Sequence, residues 1–376
     1  MPPASAARAA IGQEVRAEAE RLLKAFRAEG ALAAEADILQ PAEVLLDLYG
    51  EDIRARAYVT SDPLRGEMML RPDFTVPVVQ MHMAHGAEPA RYCYMGEVFR
   101  KQEHRGPRAS EYLQVGYELF ARTDPAAADA EVFALISRLL APLGLRAATG
   151  DIGLLLAAVR GLSTTERRKA ALLRHIWRPR RFRALLDRFA GRAPVAPARA
   201  ALLDRLAGAT AADLIAGAGP LIGLRGEAEI AARAAVLLED AAAPPIPAGE
   251  AALLDDLLAL SAPAPVALDR LRAMAARMPA IAPAAGRLAA RLDALDAAGV
   301  AVADLAFEAS HGRSTMEYYD GFVFSFHAEG RPDLPPVASG GRYDAMTAVL
   351  GQGRSIPAVG GILRPGLIVA LREGAA

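Results

Sequence analysis

Residues Arg91–Phe120 read RYCYMGEVFRKQEHRGPRASEYLQVGYELF, and this stretch predicts two strands joined by a charged loop that contains glycine and proline. The strands are predicted over residues 91–100 and 111–120. Because side chains alternate between the faces of a strand, Gln114 and Glu118 share one face of the second strand. The opposite face is apolar and suits a core, with Leu113, Val115, Tyr117 and Leu119.

The polar face of this hairpin suggests a small-ligand site. Gly116 lies between Gln114 and Glu118 and opens space there, and a basic loop is close by. An ordinary antiparallel hairpin with a solvated outer face would carry the same residues. The hairpin alone therefore leaves both interpretations open.

The hairpin resembles motif 2 of the class II aminoacyl-tRNA synthetases, and most of all that of the histidyl-tRNA synthetases. The resemblance implies that Arg100, in the Phe99-Arg100 pair, holds the α-phosphate of ATP. It also implies that Gln114 and Glu118 contact bound histidine. Arg108 in the loop is a second candidate anion-binding residue.

Composition limits the function classes. With 376 residues the chain is long enough for two domains, and 53% hydrophobic with 23% charged residues is typical of a globular protein. A net charge of −1 argues against broad nucleic-acid binding, which needs a basic surface. The single cysteine, Cys93, excludes an internal disulfide and a cysteine metal cluster, and we expect it to be buried. We predict no metal and no cofactor.

The sequence has no export or membrane signal that we can recognise. The first 23 residues are rich in alanine and arginine, contain acids and lack a continuous apolar core. No long charge-free apolar run follows. These features predict a cytoplasmic protein that does not enter a membrane.

The chain pattern predicts an α+β fold. Apolar spacing indicates a helix over residues 12–30, a hairpin over 58–71 and a helix over 126–143. Residues 156–299 are rich in Ala, Leu and Arg and nearly free of aromatics, which predicts a mainly helical insertion. Residues 1–155 and 300–376 then form a core that resembles the antiparallel sheet of class II synthetases, flanked by helices. Asp37–Tyr49 resembles motif 1, which implies a dimer interface.

The stretch Leu70–Thr75 resembles the Arg-Pro-Glu-Gly-Thr motif, with Asp73 in place of Glu and Thr75 retained. In the family these two side chains bind the α-amino group of the amino acid. A carboxylate suits an ammonium, and a hydroxyl completes its hydrogen bonds. Alternatively, Asp73 or Thr75 caps a helix that begins near Val76, and the two roles are compatible.

The arginines of the insertion are concentrated in Glu166–Arg192. RNA binding is one interpretation. A solvated helix face, or a docking face for an acidic protein partner, is favoured because acids are mixed in and aromatic residues are scarce.

Near the C-terminal part, Tyr318-Tyr319 precedes an alternating run of Phe322, Phe324 and Phe326, which predicts a half-buried strand. Met-Glu-Tyr-Tyr resembles the Leu-Asp-Tyr-Tyr signature of histidyl-type enzymes. The resemblance implies that Tyr318 and Tyr319 cover the histidine side chain and that the nearby Arg313 pairs with the carboxylate. Gly340-Gly341-Arg342-Tyr343-Asp344 matches a second motif, which implies that Tyr343 borders the imidazole.

The chain departs from the enzymes at their catalytic cations. On the motif 3 alignment the γ-phosphate arginine falls at Leu367. In motif 2 the second loop arginine falls at Ser110, and before the Tyr-Tyr pair the catalytic arginine falls at Ser314. Adenylyl transfer depends on positioned positive charge, at roughly 3 kcal/mol of transition-state stabilisation per donor. We therefore expect a chain that does not catalyse this reaction.

A histidine pocket without these cations resembles the regulatory subunits of ATP phosphoribosyltransferase, which are paralogues of the synthetases. No anticodon-binding domain is expected in residues 1–376. The resemblance implies L-histidine as effector, the short-form catalytic subunit as partner and a homodimer within a hetero-oligomer, with no tRNA. The alternative is a minimal histidyl-tRNA synthetase or a histidine-adenylating ligase, which Arg100 and Arg108 favour. A third interpretation is a scaffold that has lost ligand binding.

Overall fold

The computed structural model describes residues 4–49, 53–102, 109–220, 222–313 and 318–374. The first helix extends the predicted one, and it buries Ala19, Leu22 and Phe26 at helical spacing. A small three-stranded sheet follows, with the predicted hairpin over 58–71 as its second and third strands. The elements of this part are α1 (Ala4–Ala28), β1 (Leu32–Ala33), β2 (Leu39–Pro41), α2 (Ala42–Tyr49), α3 (Ile53–Arg56), β3 (Val59–Asp62), β4 (Gly66–Leu70) and α4 (Thr75–His85).

The hairpin predicted from Arg91–Phe120 is confirmed in its strands. Its outer edge pairs with the short strand β1, and Cys93 is fully buried, as expected. After the hairpin, Asp124 caps a helix by accepting a hydrogen bond from the Ala127 backbone N–H at 3.0 Å. The elements are β5 (Ala90–Phe99), β6 (Glu111–Phe120), α5 (Pro125–Leu140) and β7 (Arg146–Asp151).

Helices dominate the next part of the chain, as the composition predicts. The elements are α6 (Ile152–Arg160), α7 (Glu166–Arg174), α8 (Pro179–Phe189), α9 (Pro197–Gly208), α10 (Ala211–Ala216), α11 (Glu227–Ala242), α12 (Ala248–Ala259), β8 (Ser261–Pro263), α13 (Ala264–Ala275) and α14 (Ala282–Ala297). One of them, β8, joins the edge of the main sheet, and α14 packs on α5. The division into a core and an insertion remains a prediction.

The C-terminal part returns to the sheet. Its elements are β9 (Ala306–Glu308), β10 (Phe322–His327), β11 (Ala338–Arg342), α15 (Asp344–Leu350), β12 (Ala358–Leu363) and α16 (Pro365–Gly374). Within the described residues the main sheet has nine strands in the order β1-β5-β6-β12-β11-β10-β7-β9-β8. All neighbours are antiparallel except the pairs β1–β5 and β7–β9. This is the predicted α+β architecture, an antiparallel sheet flanked by helices.

The prediction of a half-buried strand at Phe322–Phe326 was wrong, because β10 is buried on both faces. The three phenylalanines pack on Phe133 of α5, with ring centroids 5.2 to 6.1 Å apart. On the other face Val323 joins a second core, and Ser325 is buried between two histidine rings. The alternating phenylalanines indicate only one of these faces, and the second is buried because another core packs on the opposite face of the sheet.

The two faces of the sheet meet different cores. One core includes Phe26, Tyr117 and Phe133, which come from α1, β6 and α5. The other includes Phe74, Tyr94 and residues of α4. Gln114 and Glu118 point to this second side, so their face of β6 is covered and not solvated. No helix among the described residues is long and apolar enough to cross a membrane.

Candidate functional site

Glu118 on β6 is the centre of a buried cluster of hydroxyl groups. Its Oε1 accepts hydrogen bonds from Thr75 Oγ1 at 2.9 Å and from Tyr94 Oη at 2.8 Å. Its Oε2 accepts one from Tyr343 Oη at 2.6 Å. The four residues come from distant parts of the sequence, and each is at most 4% exposed. A carboxylate this deeply buried is stable only because donors surround it.

Glycines on neighbouring strands make room for this cluster. Gly360 on β12 is paired with Glu118 on β6, and a Cβ at Gly360 would overlap the Glu118 carboxylate. Gly116 is paired with Tyr94, and a Cβ there would overlap the Tyr94 ring. The space predicted above Gly116 is therefore filled by a side chain of the protein.

Gln114 has the clearest unmet bonding capacity in this region. It is fully buried, and among the described residues neither its amide nitrogen nor its amide oxygen has a hydrogen-bond partner. It lies on β6 on the same face as Glu118, two residues before Gly116. A buried amide without partners costs roughly 1–3 kcal/mol per unsatisfied group. A ligand that both donates and accepts would remove this cost.

Asp73 and Thr75 lie at the start of α4, below the cluster. Asp73 is 3% exposed, and its Oδ1 is 3.5 Å from the Val76 backbone nitrogen. That distance is long for a capping hydrogen bond. Thr75 points its hydroxyl at Glu118 instead of capping the helix. The structure thus brings Asp73, Thr75, Gln114 and Glu118 to one side of the sheet.

Burial controls the electrostatics of the cluster. It raises the pKa of Glu118 to about 7, and the negative charge of Asp73 adds to the increase, while the three hydroxyl hydrogen bonds oppose it. Burial, and then Glu118, also raises the pKa of Tyr94 and of Tyr343 well above the ordinary range. Both phenols therefore keep their protons and remain donors.

Tyr318 and Tyr319 contact each other edge to face beside this cluster. Their ring centroids are 4.7 Å apart, and the Tyr318 ring is 6.1 Å from that of Tyr343. Burial raises the pKa of Tyr319, and the charges of Glu118 and Asp73 raise it further. The predicted tyrosines thus adjoin the Glu118 cluster. Met316 and Glu317 lie outside the described residues.

Of the two candidate anion-binding arginines, the structure describes only Arg100. Arg100 Nε donates to the Pro72 carbonyl at 2.9 Å, and its charge contributes to lowering the pKa of Arg364, behind burial. Arg100 and Arg364 are therefore near each other, beside the site. Arg108 lies outside the described residues.

Arg313 is the predicted site residue that the structure does not bring to Glu118. Its Nε donates to the Ile176 carbonyl at 2.8 Å, and its guanidinium lies 4.9 Å from the centre of the Phe182 ring. Within the described residues its contacts are thus with the helical stretch. The sequence could not show these contacts, because Ile176 and Phe182 are far from Arg313 along the chain.

Sequence reasoning missed Tyr94 and the residues that hold it. Tyr94 stacks on Phe74, with ring centroids 4.5 Å apart and ring planes 11° from parallel. The Arg71 guanidinium lies 4.0 Å from the centre of the Phe74 ring. The signal was present in the hairpin: pairing β5 with β6 puts Tyr94 opposite Gly116.

A buried charge network adjoins Tyr343. Arg342 donates to Asp129 at 2.6 Å and to Asp344 at 3.1 Å. Arg291 of α14 donates to the same Asp129 at 2.8 Å and to Asp151 at 2.9 Å. Asp129 therefore connects α14 to the residue next to Tyr343.

Several arginines of Glu166–Arg192 are also paired within the chain. Arg168 donates to Asp240 at 2.6 Å, and Arg183 pairs with Asp255. Among the described ranges there is no group of three or more His, Cys, Asp or Glu placed to hold a metal.

Comparison with known proteins identifies the family of this chain. The family described as histidyl-tRNA synthetase matches residues 10–219 and 225–365. A protein of Brucella anthropi named ATP phosphoribosyltransferase regulatory subunit is 35% identical over 345 residues, which cover 87% of this chain and 89% of that protein. This chain belongs to the family of histidyl-tRNA synthetase-like regulatory subunits of ATP phosphoribosyltransferase. A protein of the same name from Brucella ovis is 32% identical over 350 residues, covering 89% and 92% of the two chains.

Solved structures show the same fold. A Bacillus halodurans structure titled as an ATP phosphoribosyltransferase regulatory subunit/histidyl-tRNA synthetase has a TM-score of 0.66 at 20% identity, covering 96% of this chain and 79% of that one. A histidine–tRNA ligase subunit from Alicyclobacillus acidocaldarius has a TM-score of 0.60 at 22% identity, covering 97% and 94%. At these identities the structural likeness shows the fold alone.

Proposed function

We propose that this chain is the regulatory, non-catalytic subunit of an ATP phosphoribosyltransferase, and that it senses L-histidine at the Glu118 site. The names of the Brucella relatives support the regulatory role in histidine biosynthesis. The observation that carries histidine sensing is that a buried Gln114, with no hydrogen-bond partner in the described part of the chain, lies on the same face of β6 as the buried carboxylate of Glu118.

The chemistry of the site matches histidine at both ends. Asp73 and Thr75 would hold the α-amino group, and Gln114 would bond the amino-acid backbone with its amide. Glu118 would accept an imidazole N–H, and Tyr319, Tyr318 and Tyr343 would line the ring. Imidazole offers one donor and one acceptor, so such a site rejects isosteres that leave a buried group unpaired.

Binding must be linked to activity through the partner. We propose that the partner is the short-form catalytic subunit and that this chain forms a homodimer within the complex, in the cytoplasm. If histidine binds one state of the complex more tightly, it shifts the equilibrium to that state, typically by about 1–3 kcal/mol. The ATP would then be used by the partner and not by this chain, in line with the cations missing at Leu367, Ser110 and Ser314.

The experiment is calorimetric titration of the purified chain with L-histidine, with histidinol and glutamine as comparison ligands. We expect binding of histidine alone, and its loss in Glu118→Ala. The matched control is Glu111→Ala, which removes an exposed carboxylate from the same strand. It should bind like the parent protein.

The outcomes separate the alternatives. Normal binding by a folded Glu118→Ala variant would overturn the site assignment. Because that variant leaves three hydroxyls unpaired, Glu118→Gln is measured beside it, and circular dichroism establishes that both are folded. If neither the parent chain nor its complex with the catalytic subunit bound histidine, the chain would be a scaffold that has lost ligand binding. Histidine-dependent exchange between ATP and pyrophosphate would instead support a histidine-adenylating enzyme.

A further inference from the structure

Arg313 lines a separate cavity of about 300 Å³ at the junction of the helical stretch and the loop after β9. Its walls come from three elements: α8, α12 and that loop. The lining residues are Pro179, Phe182, Arg183, Leu258, Ser310 and Arg313. This volume is at the lower end of the range for small-ligand sites.

Arg313 is a buried cation without a counter-charge in the described residues. It is 6% exposed, and its Nε donates to the Ile176 carbonyl. Its Nη2 is buried and has no hydrogen-bond partner in the part of the chain that the structure describes. Burial lowers its pKa to about 10, and the positive charge of Arg183 lowers it further. A buried charge without a partner is strongly destabilising, and a bound anion would remove that destabilisation at Arg313.

Arg183 of the lining already has an acidic partner. Asp255 pairs with Arg183 and also with Arg192, whose Nη1 is 2.5 Å from its Oδ2. Asp255 therefore adds no free negative charge, and Arg313 is the cation of the lining that has no carboxylate partner within the described ranges. Ser310, on the same loop as Arg313, supplies a hydroxyl to the lining. An excess guanidinium and a hydroxyl around a small cavity are complementary to an anion with several oxygen atoms.

We propose that the cavity between α8, α12 and the loop at Ser310–Arg313 is a binding site for a small oxyanion of the phosphate or carboxylate class, distinct from the Glu118 site. Arg313 Nη2 donates to one oxygen of the anion, and Arg183 faces it from α8. The Phe182 ring holds the guanidinium plane. A bound oxyanion joins α8 to the loop that leads toward Tyr318.

The test uses the full-length chain and two probes, inorganic phosphate and acetate, titrated by calorimetry at constant ionic strength set with sodium chloride. We expect at least one probe to bind, with one anion per chain. Arg313→Met should raise the dissociation constant for that anion by roughly tenfold to a hundredfold, because it removes one or two charge-assisted hydrogen bonds. The anion affinity of Arg313→Lys should lie between those of the parent and Arg313→Met. Lysine keeps the positive charge but loses the two-pronged hydrogen bonding of the guanidinium. Phosphate binding without acetate binding would assign a phosphate ligand, and the reverse a carboxylate ligand; both support the site.

The matched control is Arg180→Met, which removes an exposed arginine of α8 that does not line the cavity. It should bind the anion like the parent. Equal weakening by Arg180→Met and Arg313→Met would mean surface attraction only and would overturn the proposal, as would no binding of either probe. L-Histidine binding is measured on the same variants. If Arg313→Met abolished histidine binding and left anion binding intact, Arg313 would belong to the Glu118 site and the proposal would be wrong.

Discussion

The Tyr94 ring occupies the position that a side chain at Gly116 would fill, on the facing strand of the same hairpin. From there its hydroxyl reaches Glu118 Oε1 at 2.8 Å. A strand pair that seemed to leave an empty space thus holds a donor aimed at the central carboxylate. Two properties of Glu118 can therefore be tested, namely the hydrogen bonds that it accepts and the pH at which its carboxyl loses its proton.

Tyr94→Phe removes one of the donors to Glu118 and leaves the stack on Phe74 intact. A hydrogen bond to a charged acceptor contributes about 1.5–3 kcal/mol, so we expect a loss of that order in the free energy of unfolding at about pH 8, where Glu118 is ionised. The loss should be smaller at about pH 5. Urea unfolding at both pH values measures it. Tyr58→Phe, at an exposed tyrosine, is the control and should change little; an equal loss in both variants would contradict the role of Tyr94.

Gly360→Ala tests the close approach of β12 to the carboxylate. The added methyl overlaps Glu118 Oε2 and lies 2.9 Å from the Tyr117 carbonyl oxygen, so a strand or the carboxylate must move. We expect a cost of about 1–3 kcal/mol in the free energy of unfolding, as for overpacking, together with weakened histidine binding.

The control for that substitution is Gly286→Ala in α14, where a Cβ meets nothing within 4 Å. It should be neutral or stabilise by roughly 0.5–1 kcal/mol, because alanine is the better helix former. If Gly360→Ala were equally harmless, the packing of Glu118 against β12 would be looser than described.

The raised pKa of Glu118 makes stability depend on pH in a defined direction. The carboxyl has an ordinary pKa of 4.5 and a folded value of about 7. Between these values the folded state binds the proton and the unfolded state does not. The free energy of unfolding therefore falls as the pH rises through this window, by an amount on the order of 3 kcal/mol.

Glu118→Gln lacks this titration and isolates it. The parent's stability relative to Glu118→Gln should be higher at about pH 5 than at about pH 7.5. The pKa of Asp320 is also raised to about 7 by burial, then by Asp344, but it titrates in both proteins and cancels in the difference. A difference that stays constant with pH would show that Glu118 does not titrate in this window.

Arg291→Met tests the connection of α14 to the sheet. The change leaves Asp151 without its buried partner and Asp129 with Arg342 alone. Breaking a buried ion pair typically costs about 3–5 kcal/mol, and we expect a loss of this size in urea unfolding. Adding Asp151→Asn should restore part of it.

The matched control is Arg272→Met on α13, whose pair with Asp269 at 3.4 Å is exposed. It should cost less than about 1 kcal/mol. Equal losses at Arg272 and Arg291 would mean that the buried network contributes no more than a surface pair.

Local pattern was sufficient for the elements that form the site and insufficient for its contacts. The strands of Arg91–Phe120 were predictable because their apolar alternation and their Gly/Pro loop are local signals. Tyr94 was missed because its role appears only when the register places it opposite Gly116. Gly360 was not singled out from the sequence, because the need for glycine there follows from the pairing of β6 with β12, which sets it opposite Glu118.

Arg313 shows the limit of reasoning from a motif. The family pattern implied a place beside the ligand carboxylate, one residue from the expected arginine. In the structure Ile176 and Phe182 engage it, and they lie in a part of the chain that the family motifs do not reach. The burial of β10 on both faces was also not visible in the sequence. Ser325 is polar and suggests a solvated face, but in the structure its hydroxyl is bonded to His311 and His327.

The sheet order has a consequence for synthesis on the ribosome. Strands β12, β11 and β10 lie between β6 and β7, yet they are translated after the whole helical stretch of residues 152–297. Until they emerge, β6 and β7 expose edges with unpaired backbone groups, which other chains can pair with. The nascent chain should therefore depend on chaperones for much of its elongation, and premature termination before Phe322 should give aggregation in place of a smaller folded product.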